Sequence, residues 1–529
     1  MENFIDSFEV DGNDKPVVKG WRLTLGYAGF FMIVVGIMLL VPLITLIFYP
    51  SEAKYFIHFL IVGLLNIIIG CIPFFRYIYK RKHAQLATHQ DACIVVLCWI
   101  LAIVMCAIPF ATSGLLTFSQ AIFESASGIT TCGLSIVSDF DNFPHIFFIL
   151  RSLTHLVGGI GLVLVMISAL SDRYGMKLYA SEGHYDRFMP NLLKSSRAIL
   201  LIYLGFIISG VIAYVICGMP VFDAIVHSIA AVATGGFSNK ADSIGFYNSR
   251  SIEIVSMVLM LCGSTNFLAH VFLFKGKFKN FFMYCENKFM YAFYAVVIPL
   301  AAIGLFCAYD KYSIGDSFLI SAFHVISALS TTGFQTVKIS PSTASSFLFI
   351  LTLCMLIGGQ TNSTAGGLKI YRLNLMIKSI YIKMKDSLMK TKTVHYYRVY
   401  QLDEETYITN ETLQENNLFL VTWIAIYFIS ILVYCFAGIP FVESIFEVAS
   451  ILGTVGMSMG GITANSPAFI FYFSALIMLI GRLEVFVVFY GIIYSIRTPI
   501  SKILTFKSRR KEWFYAIKIK KNCLCYRLL

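Results

Sequence analysis

Charge is scarce in this chain of 529 residues: 13% are Asp, Glu, Lys or Arg, against 58% hydrophobic, and the mean hydropathy is +0.77. A soluble globular domain carries about 25% charged residues, so that class is excluded. The marks of common enzymes are missing too. No Gly-x-Gly-x-x-Gly follows a strand, and no polar stretch is long enough for a nucleotide-binding domain. There is no His-Glu-x-x-His; His155, His227, His270 and His324 are scattered without ligand spacing, and Glu484 is a lone acid in an apolar stretch. An enzyme is therefore not expected, nor a cofactor held by this chain. The 13 cysteines do not form a disulfide set, because most (Cys93, Cys98, Cys106, Cys262, Cys354, Cys435) sit inside apolar segments as small hydrophobes. Cys523 and Cys525 lie in a basic tail with no His or third Cys at ligand spacing. Residues 1–20 are polar and acidic and the first apolar stretch is too long for a signal h-region, so spans rather than a cleaved leader are expected.

What is abundant is long apolar sequence. Ten segments are long enough to cross a bilayer. Two come first, residues 23–49 and 55–75. Four pairs follow: 92–110 with 143–170, 198–220 with 254–274, 289–308 with 343–368, and 417–440 with 462–496. With the amino terminus inside, the inner segments hold 34 of the 41 Lys and Arg, five lie outside, and Arg151 and Arg482 fall within spans. Positive charge favours the cytoplasmic side, which places both termini there. The net charge of +12 is then a topology signal rather than a sign of nucleic acid, and the basic tail suits anionic lipid headgroups. The outer segments carry eleven acids, a vestibule that concentrates cations.

Each of the four pairs encloses a short apolar run that ends in Thr-x-Gly. The triplets are Thr131-Cys132-Gly133, Thr234-Gly235-Gly236, Thr331-Thr332-Gly333 and Thr454-Val455-Gly456, spaced 103, 97 and 123 residues apart. Four copies in one hydropathic context are an internal repeat. The runs before them, such as 222–233 and 318–330, are too short to span and suit re-entrant helices. An ion that sheds water needs oxygens at fixed spacing, which successive carbonyls of an extended segment supply. Turning them to one side takes backbone angles that glycine adopts cheaply. The candidate filter is therefore these twelve residues with Thr130. Seven residues before each filter Thr stand Glu124, His227, His324 and Glu447, and four before stand Ser127, Ala230, Ser327 and Ser450, as if one short helix were used four times. Its C-terminal dipole would favour a cation. Glu124 and Glu447, two turns back, read as hydrogen-bonding braces rather than ion contacts.

Two features interrupt the apolar spans. Gly358, Gly359, Gln360, Thr361, Asn362, Ser363, Thr364, Ala365, Gly366 and Gly367 cannot face lipid at membrane depth, and read as a flexible plug or as a packed kink. Arg482 lies well inside the last span, either as a barrier or gate partner, or in a structural ion pair with Glu484.

The triplets, the paired spans, the motif at residues 156–161 (Leu-Val-Gly-Gly-Ile-Gly), residues 358–369 and 481–484 (Gly-Arg-Leu-Glu) together resemble the Trk/Ktr/HKT superfamily of potassium transporters, and the two leading spans resemble its TrkH branch. The resemblance implies an all-α polytopic fold of four helix, pore-helix, helix repeats in pseudo-fourfold symmetry, plus two N-terminal helices. It divides the chain into 1–20, a cytoplasmic N-terminus; 21–82, the extra helices; 83–190, 191–280, 281–415 and 416–497, the four repeats; and 498–529, a basic tail. It implies potassium as transported ion at the filter residues, an intramembrane gating loop at 358–367 with Arg482 beside it, a homodimer in a bacterial or archaeal inner membrane, and TrkA-like nucleotide-binding subunits on the inner face. Gly133 stands where sodium-favouring relatives carry Ser. Cys132 and the run Met457-Ser458-Met459 depart from the pattern and bear on strictness of selectivity. A sodium-permeable or ion-coupled symporter of the same fold stays open, whereas a secondary transporter with inverted repeats does not fit repeats that all enter from one side.

Overall fold

The computed structural model describes residues 10–11, 15–16, 18–79, 84–85, 89–161, 192–309, 312–388, 397–401, 404–408 and 410–496. The basic tail, with Cys523 and Cys525, and most of the segment joining the first two repeats lie outside the described residues.

Two helices, α1 (Trp21–Leu40) and α2 (Phe56–Tyr77), form a leading hairpin. They approach closely because glycines face each other across the seam. A Cβ at Gly29 would stand 2.6 Å from the Gly70 carbonyl oxygen, and one at Gly36 2.8 Å from that of Gly63. In an apolar solvent such backbone contact replaces the missing hydrophobic drive. The hairpin is tied to the body by Glu52. Its carboxylate accepts the Ile146 N–H at 2.9 Å and the His145 N–H at 2.8 Å, capping the N-terminus of α5 (His145–Ile160).

Four repeats follow. Their first helices are α3 (Gln90–Thr112), α6 (Leu192–Ile216), α11 (Cys285–Ala308) and α15 (Asn410–Phe436). The short helices are α4 (Phe118–Ile129), α7 (Val221–Val232), α12 (Ile314–Leu329) and α16 (Phe441–Leu452). Their starts are chemically marked. Thr117 and Gln120 close a capping box on α4, Ser313 caps α12, and Pro220 and Pro440 precede α7 and α16 after left-handed Gly218 and Gly438.

The returning helices depart from the sequence-based expectation of continuous spans. In the second repeat α8 (Arg250–Ser264) and α9 (Phe267–Phe274) meet at 109°, and α10 (Phe278–Met283) follows. In the fourth, α17 (Ala468–Leu483) and α18 (Val485–Ile496) meet at 111°. In the third, α13 (Ser345–Ile357) stops at Gly358 and α14 (Ile370–Leu388) begins after the glycine-rich loop. In the first, α5 stops at Gly161. The cause is local: Gly161, Gly358 and Glu484 hold φ of 89°, 74° and 65°, which ends an α-helix, and Thr265 is extended. Among the described residues six helices are long and apolar enough to cross a membrane, and the two bent pairs make eight. Among the described residues there are also three small two-stranded pairs; the longest pairs Tyr397–Gln401 with Glu404–Ile408.

Candidate functional site

Each short helix ends in the same backbone figure. Thr131, Thr234, Thr331 and Thr454 hold φ of 55°, 49°, 57° and 52°, and Gly133, Gly236, Gly333 and Gly456 hold 80°, 74°, 83° and 87°. Positive φ in a β-branched residue is a true outlier that costs about 1–3 kcal/mol. It recurs four times because hydrogen bonds impose it. The N–H of Cys132, Gly235, Thr332 and Val455 donates to the carbonyl of Ser127, Ala230, Ser327 and Ser450 at 2.8, 2.8, 2.9 and 2.8 Å. Position minus four thus acts through its carbonyl, which explains why Ala230 serves as well as serine. Thr130 caps α4, its hydroxyl bonded to Ala126 O at 2.7 Å.

The four segments close into a ring. A Cβ on Gly133 would collide with the carbonyl oxygen of Gly235, one on Gly236 with that of Thr332, one on Gly333 with that of Val455, and one on Gly456 with that of Cys132. Each glycine therefore packs on the middle carbonyl of the next repeat, and the fourth returns to the first. Two constraints meet at each of these glycines, positive φ and backbone contact, so no other residue fits without displacing a carbonyl.

Position minus seven braces the chain leaving the ring. Glu124 accepts from the Ser135 hydroxyl at 2.9 Å and the Ile136 N–H at 3.2 Å; Glu447 accepts from Ser458 at 2.5 Å and the Met459 N–H at 2.9 Å. His227 Nε2 lies 3.0 Å from Ser238 Oγ, while Nδ1 bonds Asp223 O. His324 instead bonds Ile320 O, and Ser327 makes the cross-link there, to Phe334 O at 2.8 Å. Met457 is buried in the core and Ser458 and Met459 serve Glu447, so this departure from the repeat pattern has a structural use.

The loop at residues 358–367 docks on the threonine end of the ring. Thr364 Oγ1 is 3.0 Å from Thr234 Oγ1 and bonds Val232 O and Gly263 O at 3.0 and 2.9 Å. The Gly366 N–H donates to Thr331 Oγ1 at 2.9 Å, and the Gly366 Cα packs against Thr454 Oγ1. Three of the four threonines therefore touch the loop. Gly358 and Gly367 lie back to back at its neck. Its far side is anchored by buried Glu286, which accepts from the Thr361 N–H at 2.8 Å and the Thr361 hydroxyl, and by Gln360, which reaches Asn287 at 2.7 Å and receives the Asn266 N–H at 3.0 Å. Lys369 Nζ donates to Ala365 O.

Arg482 joins the loop to the first repeat. Its guanidinium donates to Thr364 O, to Gly158 O at 2.7 Å and to Gly159 O at 2.8 Å. Glu484 pairs with Arg372 at 2.9 Å, so of the two sequence-based readings of Arg482 the structural ion pair with Glu484 is not the one formed. Trp99, Asn362, Lys369, Arg482 and Glu484 line a small cavity beside the loop.

Sequence reasoning missed several supports. Arg151 forms a buried ion pair with Glu124 at 2.9 Å, donates to Ser238 O at 3.2 Å and stacks on Phe237, so it bridges repeats one and two. Its charge inside a span was the available signal. Glu286 and Arg372 gave none.

Over most of its length the chain is similar to known cation transport proteins. Residues 57–494 match the family model TrkH, described as a cation transport protein. An uncharacterized cation transporter of Methanocaldococcus jannaschii is 28% identical over 85% of this chain and 91% of its own length. The Trk system potassium uptake protein TrkG of Escherichia coli is 29% identical over 88% and 96%, and TrkH of Salmonella typhimurium 29% over 85% and 94%. The crystal structure of the potassium transporter TrkH from Vibrio parahaemolyticus matches the fold with a TM-score of 0.78 at 22% identity, over 89% of this chain and 98% of that one. With apolar helices long enough to cross a membrane several times and this match over most of its length, the chain is a multi-pass membrane protein belonging to the TrkH family of cation transport proteins.

Proposed function

We propose that this chain takes up potassium through the Thr-x-Gly ring, with the filter formed by Thr130 to Gly133, Thr234 to Gly236, Thr331 to Gly333 and Thr454 to Gly456. The observation that carries the reading is the closure of the ring: four middle carbonyls held against four glycines, each in the same left-handed figure. Alternating backbone handedness turns successive carbonyls to one side, as coordination of a dehydrated cation requires. The names of the relatives, potassium uptake proteins, favour potassium over sodium, and Gly133 is consistent with that.

In this reading residues 358–367 are the gate. Docked on the threonines, the loop closes the inner end of the filter, and Arg482 is its latch. The distribution of Lys and Arg supports inward-facing termini, outward-facing triplets and an inner surface suited to TrkA-like nucleotide-binding regulators. The chain works as a homodimer in a bacterial or archaeal inner membrane, one pore per subunit.

The test is complementation and flux. Expression restores growth of a potassium-uptake-deficient bacterium on low potassium, and liposomes holding the purified protein pass rubidium in preference to sodium. Membrane insertion without rescue and without rubidium preference refutes the reading. Flux that requires sodium or a proton gradient selects the symporter alternative.

A further inference from the structure

The four ring segments differ at one point. Cys132, Thr332 and Val455 each carry a buried middle side chain, whereas the second segment has Gly235 there. A glycine flanked by left-handed Thr234 and Gly236 has the widest backbone freedom of the four segments, and nothing of its own to hold its carbonyl in place. That carbonyl is the one packed on Gly133.

The vacancy is filled from α5. A Cβ on Gly235 would stand 2.5 Å from both Cγ and Cδ2 of His155 and 2.7 Å from Nδ1, so the imidazole occupies the volume of the missing side chain. The ring is fixed at both nitrogens. Nδ1 lies 2.9 Å from the Gly128 carbonyl, which accepts only, so Nδ1 carries the proton. Nε2 then accepts the Phe237 N–H at 3.3 Å, and the ring stacks on Phe237 with centroids 4.3 Å apart. His155 thus ties residues 235–237 of the second segment to the short helix of the first.

The corresponding position in other repeats is different. Gly158, Gly263 and Gly481 each pack on the last carbonyl of their own short helix, at Ile129, Val232 and Leu452. Three residues before those glycines stand His155, Met260 and Met478, all buried. Of these three, His155 alone presents a ring with two directed hydrogen bonds rather than a thioether, and it does so against the segment whose middle side chain is missing.

We infer that His155 is a positioning residue for ion selection, setting the Gly235 carbonyl in place of the side chain its segment lacks. The inference rests on the filter reading above. The test uses the full chain in liposomes and measures the rubidium-to-sodium flux ratio for wild type, H155M and H155Q. Methionine matches the other repeats in shape but leaves the Gly128 carbonyl and Phe237 N–H unmet; glutamine can serve both. Loss of these directed bonds at a buried site is expected to lower the ratio about tenfold in H155M, while H155Q stays within about twofold of wild type. An unchanged ratio in H155M, or an equal loss in H155Q, overturns the inference while leaving the filter reading intact. A wild type without preference overturns the filter reading instead. Should H155M not insert, H155M/G235T takes its place: it gives the second segment the third segment's pairing, and the wild-type ratio is expected. A tenfold lower ratio in an inserted double variant overturns the inference.

Discussion

Replacing Arg482 with alanine is expected to raise basal ion flux by about tenfold to a hundredfold, because of how its hydrogen bonds are divided. Of the three carbonyls it serves, Gly158 and Gly159 belong to the first repeat and Thr364 to the loop, so on the gating reading proposed above only the Thr364 contact is lost when the loop moves. Opening therefore breaks one charge-assisted bond out of three. Such a bond to a charged donor is worth about 1.5–3 kcal/mol, and each 1.4 kcal/mol is tenfold in the closed-to-open ratio. The loop keeps its bonds to Val232, Gly263, Thr331 and Glu286, so the variant still closes, only less often. On the reading proposed above, in which Arg482 stands below the filter, removing its positive charge acts in the same direction. Rubidium flux into liposomes, normalised to inserted protein, reads the change. Lysine separates latch from barrier: R482K keeps the charge but lacks the fork that reaches α5 and the loop at once, so its flux is expected near that of R482A. A flux in R482A that is unchanged or lower, with the protein inserted, refutes the latch. A low flux in R482K beside a high one in R482A makes the arginine a charge barrier rather than a tether.

Other outcomes follow from the same contacts. Gly133→Ser forces a Cβ onto the Gly235 carbonyl at a φ of 80°, so sodium permeability is expected to rise; unchanged sodium flux in liposomes removes Gly133 from the selective step. Deleting residues 358–367 is expected to raise flux and loosen its regulation, and a flux that falls or stays unchanged with the protein intact shows that the segment is no plug. Glu286→Gln weakens the far anchor at Thr361 and is expected to raise basal flux several-fold without altering the rubidium-to-sodium ratio, the difference of about 1 kcal/mol between a charged and a neutral acceptor; a changed ratio instead places Glu286 in selection. Arg151→Met leaves Glu124 buried without its partner, a change that costs about 3–5 kcal/mol, so the thermal midpoint in detergent is expected to drop sharply and to recover in part in R151M/E124Q.

Sequence made the repeated parts of this molecule legible and left the exceptional parts hidden. Thr-x-Gly could be read because its chemistry is local: a positive-φ glycine, a carbonyl row and a short preceding helix occupy consecutive residues. The glycine-rich loop could be read because polar residues at membrane depth must have a protein partner. The breaks at Ser264–Asn266 and Leu483–Val485 were not legible, since hydropathy averages over a window and the flanks on both sides are apolar. His155 and Glu286 were invisible for another reason. Each acts on a backbone distant in sequence, Phe237 and Thr361, and nothing in their own neighbourhoods announces it.

The contacts also argue that selection and gating are one mechanical unit on the reading proposed here. The filter threonines are where the loop docks: Thr234 meets Thr364, Thr331 accepts from Gly366, and Thr454 packs on the Gly366 Cα. A plug that merely blocked a tunnel would need no bond to the filter. Because the hydroxyls of Thr234 and Thr331 are bonded to the docked loop, its departure on this reading frees them at the inner end of the carbonyl row, where they are able to replace water around an arriving cation. Closing then withdraws the same oxygens. The polar character of the loop fits this coupling: the Thr364 hydroxyl accepts from Thr234 and the Gly366 N–H meets Thr331 Oγ1, contacts that an apolar plug of the same volume would not supply in full.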